Sequence, residues 1–145
     1  MGYSKAIDEN SIAETVWDHP KRAYGDLKVK ASDNARITTT IEQEYDTETT
    51  LCTYTMKVSG EIKIKVIFKR VSDSGEACMR IYKNGSQIAA WCITSEEYVT
   101  KSKTTSVQNG DTIEVQGTTN LGATGKCKEV QLCFDADYKW AEVET

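Results

Sequence analysis

The sequence predicts an all-β protein, an antiparallel β-sandwich of about eight or nine strands, jelly-roll or immunoglobulin-like, preceded by an irregular N-terminal arm. Three observations predict it. In E-I-K-I-K-V-I-F-K, residues 61–69, Ile62, Ile64, Val66 and Phe68 alternate with Lys63 and Lys65. A period of two places the apolar set on one face of a strand and the lysines on the other. From Met79 the chain reads M-R-I-Y-K-N-G-S-Q-I-A-A-W, with Asn84-Gly85 between two strand-like segments. Asn-Gly is a strong hairpin signal because both residues tolerate the positive φ of a type I′ turn. A second pair, Asn109-Gly110, leads into D-T-I-E-V-Q, where Ile113 and Val115 alternate with Glu114 and Gln116.

Taken in order, the chain divides into an arm (1–25), a sandwich domain (26–135) and a C-terminal tail (136–145). The arm is polar, and Asp18-His19-Pro20 interrupts any helical turn over Ser11 to Val16, because the residue before proline is pushed away from the helical region. Trp17 and Tyr24 are its anchors. Leu27 and Val29 mark a short first strand, and Ser32-Asp33-Asn34 reads as a turn. Residues 36–45 place Ile37, Thr39, Ile41 and Tyr45 on one face, and residues 50–58 do the same for Cys52, Tyr54, Met56 and Val58. After Ser59-Gly60 come the alternating strand, a loop over Ser72 to Glu76, and the hairpin 77–93. In its second half Ile88 and Ala90 have one parity and Ala89, Trp91 and Ile93 the other, so both faces are apolar. A Thr/Lys-rich strand (97–103), the strand 111–118, the loop Asn120 to Gly125 and a final C-K-E-V-Q-L-C-F follow. Val130, Leu132 and Phe134 point inward there. The expected core collects the inward set, with Ile37, Ile41, Cys52, Tyr54 and Phe134 among it.

The chain has 145 residues, which makes one sandwich the default, and a net charge of -4 with both signs mixed along the strands. No basic face emerges by spacing, which argues against a nucleic-acid partner. No apolar run reaches membrane-spanning length. The five cysteines are an odd number, and M-G-Y-S-K-A-I-D lacks a leader core, so reduced thiols in a cytosol are expected. The competing reading is a cross-strand disulfide of Cys78 with Cys127 or Cys133.

No catalytic constellation can be assembled. His19 is the one histidine and precedes a proline in the arm, away from any nucleophile. Zinc sites pair cysteines at two-to-four-residue spacing, and no such pair is present. Glu96-Glu97 and Asp135/Asp137 read as solvated carboxylates, in place of a glycosidase pair or a calcium loop. The expectation is therefore a protein that is not an enzyme, with no metal and no cofactor. Trp91, Trp140, Tyr82 and Tyr98 offer flat apolar faces with polar edges. Core, interface and sugar-stacking roles compete for them.

The series R-I-Y-K-N-G-S-Q-I, a Thr-rich strand, V-Q-N-G-D-T-I-E-V-Q, a glycine loop and V-Q-L-C-F resembles small β-sandwich modules of tailed-bacteriophage virion proteins, of the tail, fibre or head-decoration type. It is similar also to jelly rolls of the C1q/tumour-necrosis-factor type. The resemblance covers residues 60 to 135 and rests on the turn residues Asn84, Gly85, Asn109, Gly110 and Asp111. It implies a structural virion protein, made in the host cytoplasm and assembling with itself, three subunits favoured, and with other virion proteins. Trp17, Tyr24, Trp91 and Ile93 would form that interface. The alternative expectation is a carbohydrate- or receptor-binding module, with Trp91 or Trp140 over a shallow groove and a surface glycan as partner.

Overall fold

The structure is a computed structural model, and it describes residues 28–136. Eight strands follow one another: β1 (Lys28–Tyr45), β2 (Thr49–Thr55), β3 (Ser59–Arg70), β4 (Glu76–Lys83), β5 (Ser86–Ile93), β6 (Val99–Val107), β7 (Thr112–Asn120) and β8 (Gly125–Ala136). They form two four-stranded sheets, β1-β8-β3-β6 and β2-β7-β4-β5. All pairings are antiparallel except a short parallel contact of Lys28 and Val29 with Ser59 and Gly60. This is the strand order of a jelly-roll sandwich. Trp17, His19, Tyr24 and Trp140 lie outside the described residues, as do the arm and all but the first residue of the expected tail.

The sandwich closes because alternate residues on facing strands are apolar. Ile62, Ile64, Val66 and Phe68 of β3, with Val130 and Leu132 of β8, meet Met79 and Ile81 of β4 and Ile113 and Val115 of β7, all fully buried. Burying a side chain of this size contributes about 1.5–3 kcal/mol. Lys63 and Lys65 lie on the opposite face, where both approach Asp33, at 2.7 and 3.3 Å.

Three expectations change. The first two predicted strands are one. Ser32-Asp33-Asn34 is not a turn but a bulge within β1: Ala31 pairs with Phe134 and Ala35 with Cys133, so both halves run along β8. Ile37 has the inward parity, being opposite Leu132, yet is 43% exposed. It sits on an 18-residue edge strand facing a 7-residue β2, which is too short to cover it. Ile41, Cys52, Tyr54 and Phe134 are only partly buried against the core. The two-faced apolar character of the hairpin also has a local cause. Tyr82 pairs with Gln87 but Ile81 with Ala89, so Ile88 is an extra residue at a bulge. Beyond it, Ala89, Trp91 and Ile93 share the inner face with Ile81, Met79 and Ala77. Trp91 and Ile93 therefore pack, partly buried, against their own core.

Candidate functional site

The outer face of the β2-β7-β4-β5 sheet gathers polar chemistry. On β4, Ala77, Met79 and Ile81 are core, so Glu76, Cys78, Arg80 and Tyr82 point outward. On β7, Ile113 and Val115 are core, which turns Glu114, Gln116 and Thr118 outward. Register then sets the neighbours. Arg80 is opposite Gln116 and Tyr82 opposite Glu114. Thr50 of β2 is opposite Gln116 and Thr53 opposite Glu114. Ala90 of β5 stands beside Arg80 and leaves it uncrowded on that side.

Glu114 is the hub. Its Oε2 accepts from Thr50 Oγ1 at 2.7 Å and from Gln116 Nε2 at 2.9 Å. Gln116 first, and Thr50 second, hold the Glu114 carboxyl below its ordinary value, because both bonds favour the ionised form. Gln116 Oε1 is shielded from solvent and accepts no hydrogen bond among the described residues. Arg80 Nη1 stands 3.6 Å from Glu48 Oε2, too far for a hydrogen bond, and its fork of donors remains available. An arginine fork, a fixed carboxylate and a phenol ring on one strand-built surface can bind paired hydroxyls and the apolar face of a ring.

At the end of this face Cys78 and Cys92, directly opposite on β4 and β5, form a disulfide. The expectation of five reduced thiols is corrected, and so is a pairing of Cys78 with Cys127 or Cys133. Those two, with Cys52, are free. Cys127 is core-facing, contrary to its parity with respect to Val130 and Leu132, because Lys128 is an extra residue between Ile67–Glu129 and Phe68–Cys127. Burial pushes its thiol up to about 12. Glu76, Cys78 and Cys92 cluster with metal-ligand geometry, but the sulfurs are bonded to each other and supply no thiolate. Asn120 Nδ2 donates to Glu76 Oε1 at 3.1 Å across the same corner.

The structure separates the predicted stacking residues. Tyr82 lies on the polar face just described. Trp91 lies on the inner face of β5. Tyr98 stands by the other sheet, with Lys69 Nζ 4.7 Å and Lys128 Nζ 5.5 Å from its ring centroid. The three form no common platform. Arg80, Glu114, Gln116 and Thr50 were missed as site residues. The alternation of residues 111–118 did place Glu114 and Gln116 outward, but their neighbours depend on strand order.

No protein-family model matches the sequence, and no curated protein does. Solved structures match in fold. The CBM36-1 domain of a multidomain xylanase from the hindgut metagenome of Trinervitermes trinervoides is 11% identical with a TM-score of 0.51, over 68% of this chain and 86% of that one. A family 35 carbohydrate-binding module from an environmental isolate is 10% identical with a TM-score of 0.50, over 72% and 82%. The insecticidal delta-endotoxin Cry8Ea1 from Bacillus thuringiensis is 8% identical with a TM-score of 0.45, over 63% of this chain, which spans only 19% of the toxin. At these identities the likeness is one of fold.

The expected tailed-phage virion module is thereby corrected. The sandwich matches carbohydrate-binding modules in fold, and the head-decoration or tail role falls with the virion location. The Asn-Gly turns that carried the resemblance are turn chemistry, which any sandwich uses.

Proposed function

We propose that this protein is a non-catalytic glycan-binding module that presents the outer face of the β2-β7-β4-β5 sheet to a saccharide. The observation that carries the reading is the row Arg80, Gln116, Glu114 and Thr50 beside Tyr82 on one outward face. The Glu114 carboxylate accepts from a sugar hydroxyl, the Arg80 fork donates to ring substituents, and the Tyr82 ring takes the apolar face of the pyranose. The shared sandwich of the two carbohydrate-binding modules supports the reading. The Cys78–Cys92 disulfide supports a working compartment that is oxidising, in place of the cytosol expected from the odd number of cysteines.

A glycan array tests it. The purified protein is expected to bind a restricted set of glycans, and Tyr82→Ala and Arg80→Ala to abolish the signal while leaving the melting temperature near that of the parent. Absence of binding across the array, or binding untouched by both substitutions, overturns the reading.

A further inference from the structure

The sandwich is open along its β5–β6 side. β5 and β6 are the outermost strands of their sheets, and since β3 packs over β4, they form the two rims of one long edge. On β6, Lys101 is opposite Val66 and Lys103 opposite Ile64. Val66 and Ile64 are fully buried core residues, so both lysines share the inner face and aim between the sheets. Both are half-buried. On the other rim Ala89, Trp91 and Ile93 share the inner face of β5, and Trp91 is likewise half-buried. Lys83 shows the span of the opening. It leaves β4 and reaches β6, its Nζ donating to the Ser106 carbonyl at 2.7 Å and standing 3.4 Å from Thr105 Oγ1.

Three other half-buried lysines of their sheet face a carboxylate, and a fourth, Lys69, lies over the Tyr98 ring. Lys63 and Lys65 face Asp33, and Lys126 faces Glu42. Among the described residues no carboxylate lies within ion-pair distance of Lys101 or Lys103. A partly desolvated cation without a counter-charge is costly, and an incoming anion removes that cost. The half-buried indole of Trp91 on the facing rim supplies a flat apolar surface of the kind a sugar ring stacks on.

We propose that this groove binds an acidic saccharide, with Trp91 against the ring and Lys101 and Lys103 holding its carboxylate or sulfate. The choice of a saccharide as carrier of the charge rests on the glycan-binding reading; the groove is separate from the outer face and does not use Arg80 or Tyr82. Lysines pointing inward from an edge strand also discourage edge-to-edge pairing, and the experiment separates the two roles.

The test is affinity electrophoresis of the full chain through gels containing polygalacturonate, dextran sulfate or neutral dextran. Retardation by at least one acidic polymer and none by neutral dextran is expected, and which polymer retards the protein distinguishes carboxylate from sulfate. Lys101→Gln with Lys103→Gln should weaken it by roughly tenfold or more, because charge-assisted hydrogen bonds are lost. Lys101→Arg with Lys103→Arg should keep most of it, and Trp91→Phe should weaken it with the fold retained. Each single Lys→Gln variant reads the same loss should the double variant fail to fold. Retardation that survives Arg80→Ala and Tyr82→Ala upholds the groove whatever the outer face does. No retardation by either acidic polymer overturns the proposal. So does unchanged retardation of the glutamine variants, with or without new dimers or aggregates, which would leave the lysines as edge guards alone.

Discussion

Asn84 donates through Nδ2 to Asp111 Oδ1 at 3.0 Å, and this bond joins the two Asn-Gly turns that are most conspicuous in the sequence. Asn84 Oδ1 in turn accepts from the Thr112 amide at 2.9 Å, and Asp111 Oδ2 from the Gln108 amide at 2.8 Å. The Asp111 carbonyl accepts from Met56 N at 2.7 Å, which brings the end of β2 to the same point. One corner of the sandwich is thus held by residues chosen for turn geometry.

Asn84→Ala should destabilise the protein by about 1–3 kcal/mol, since it removes these bonds and leaves a Cβ-bearing aliphatic residue at φ 52°. Asn84→Gly tolerates the left-handed backbone and should cost less. Urea unfolding of the pair measures the difference. Equal stability of the two variants would show that backbone conformation contributes nothing there.

The same corner sets a pH dependence. The Asn84 side chain first, and the Gln108 amide next, hold the Asp111 carboxyl below its ordinary value by stabilising the anion. A folded-state pKa below that of the unfolded chain, about 3.9, means the contribution is complete above that value and fades as pH falls through the folded pKa. Solvent near the turn keeps the size of the effect small. Asp111→Asn should therefore lower stability at neutral pH and flatten the loss seen on acidification. An unfolding series from neutral pH into the acid range follows both changes.

β5 is an edge strand paired only with β4, and Cys78–Cys92 ties it in place across a separation of 14 residues. Cross-linking a loop of about 15 residues contributes on the order of 3 kcal/mol. Reduction, or Cys78→Ala with Cys92→Ala, should lower the melting temperature and speed amide exchange in β5 more than in β3. Uniform exchange changes across both strands would refute the local role.

Tyr45 is buried between glycines of both sheets. A Cβ at Gly117 would meet its ring at 2.8 Å, and one at Gly125 at 2.6 Å. Gly117→Ala should cost about 1–3 kcal/mol through overpacking. Combining it with Tyr45→Leu should recover part of that loss, and a double-mutant cycle reads the coupling.

Arg80 should not be replaceable by lysine at the glycan-binding face. Lysine keeps the charge but not the planar fork, so Arg80→Lys should bind its glycan more weakly than the parent, by about tenfold or more. Calorimetry with the strongest array hit measures this.

What the sequence alone determined is what local periodicity can encode. The inward set Ile62, Ile64, Val66 and Phe68, the two Asn-Gly turns, and the outward direction of Glu114 and Gln116 all follow from a period of two and from turn chemistry, which need no knowledge of a partner strand. The tertiary structure decided whatever depends on register. The bulge in β1 that merges two predicted strands exists because β8 runs past both halves, and the extra residue Lys128 is what turns Cys127 into the core. The disulfide shows the limit most sharply. Continuing the register of Lys83 with Ser86 and Tyr82 with Gln87 would set Cys78 against Trp91; the bulge at Ile88 advances β5 by one residue and sets it against Cys92. Arg80 of β4 and Gln116 of β7, far apart in the chain, became neighbours only when the order β2-β7-β4-β5 was formed. Strand order is set by which faces bury together, a property of the whole core that no single segment carries.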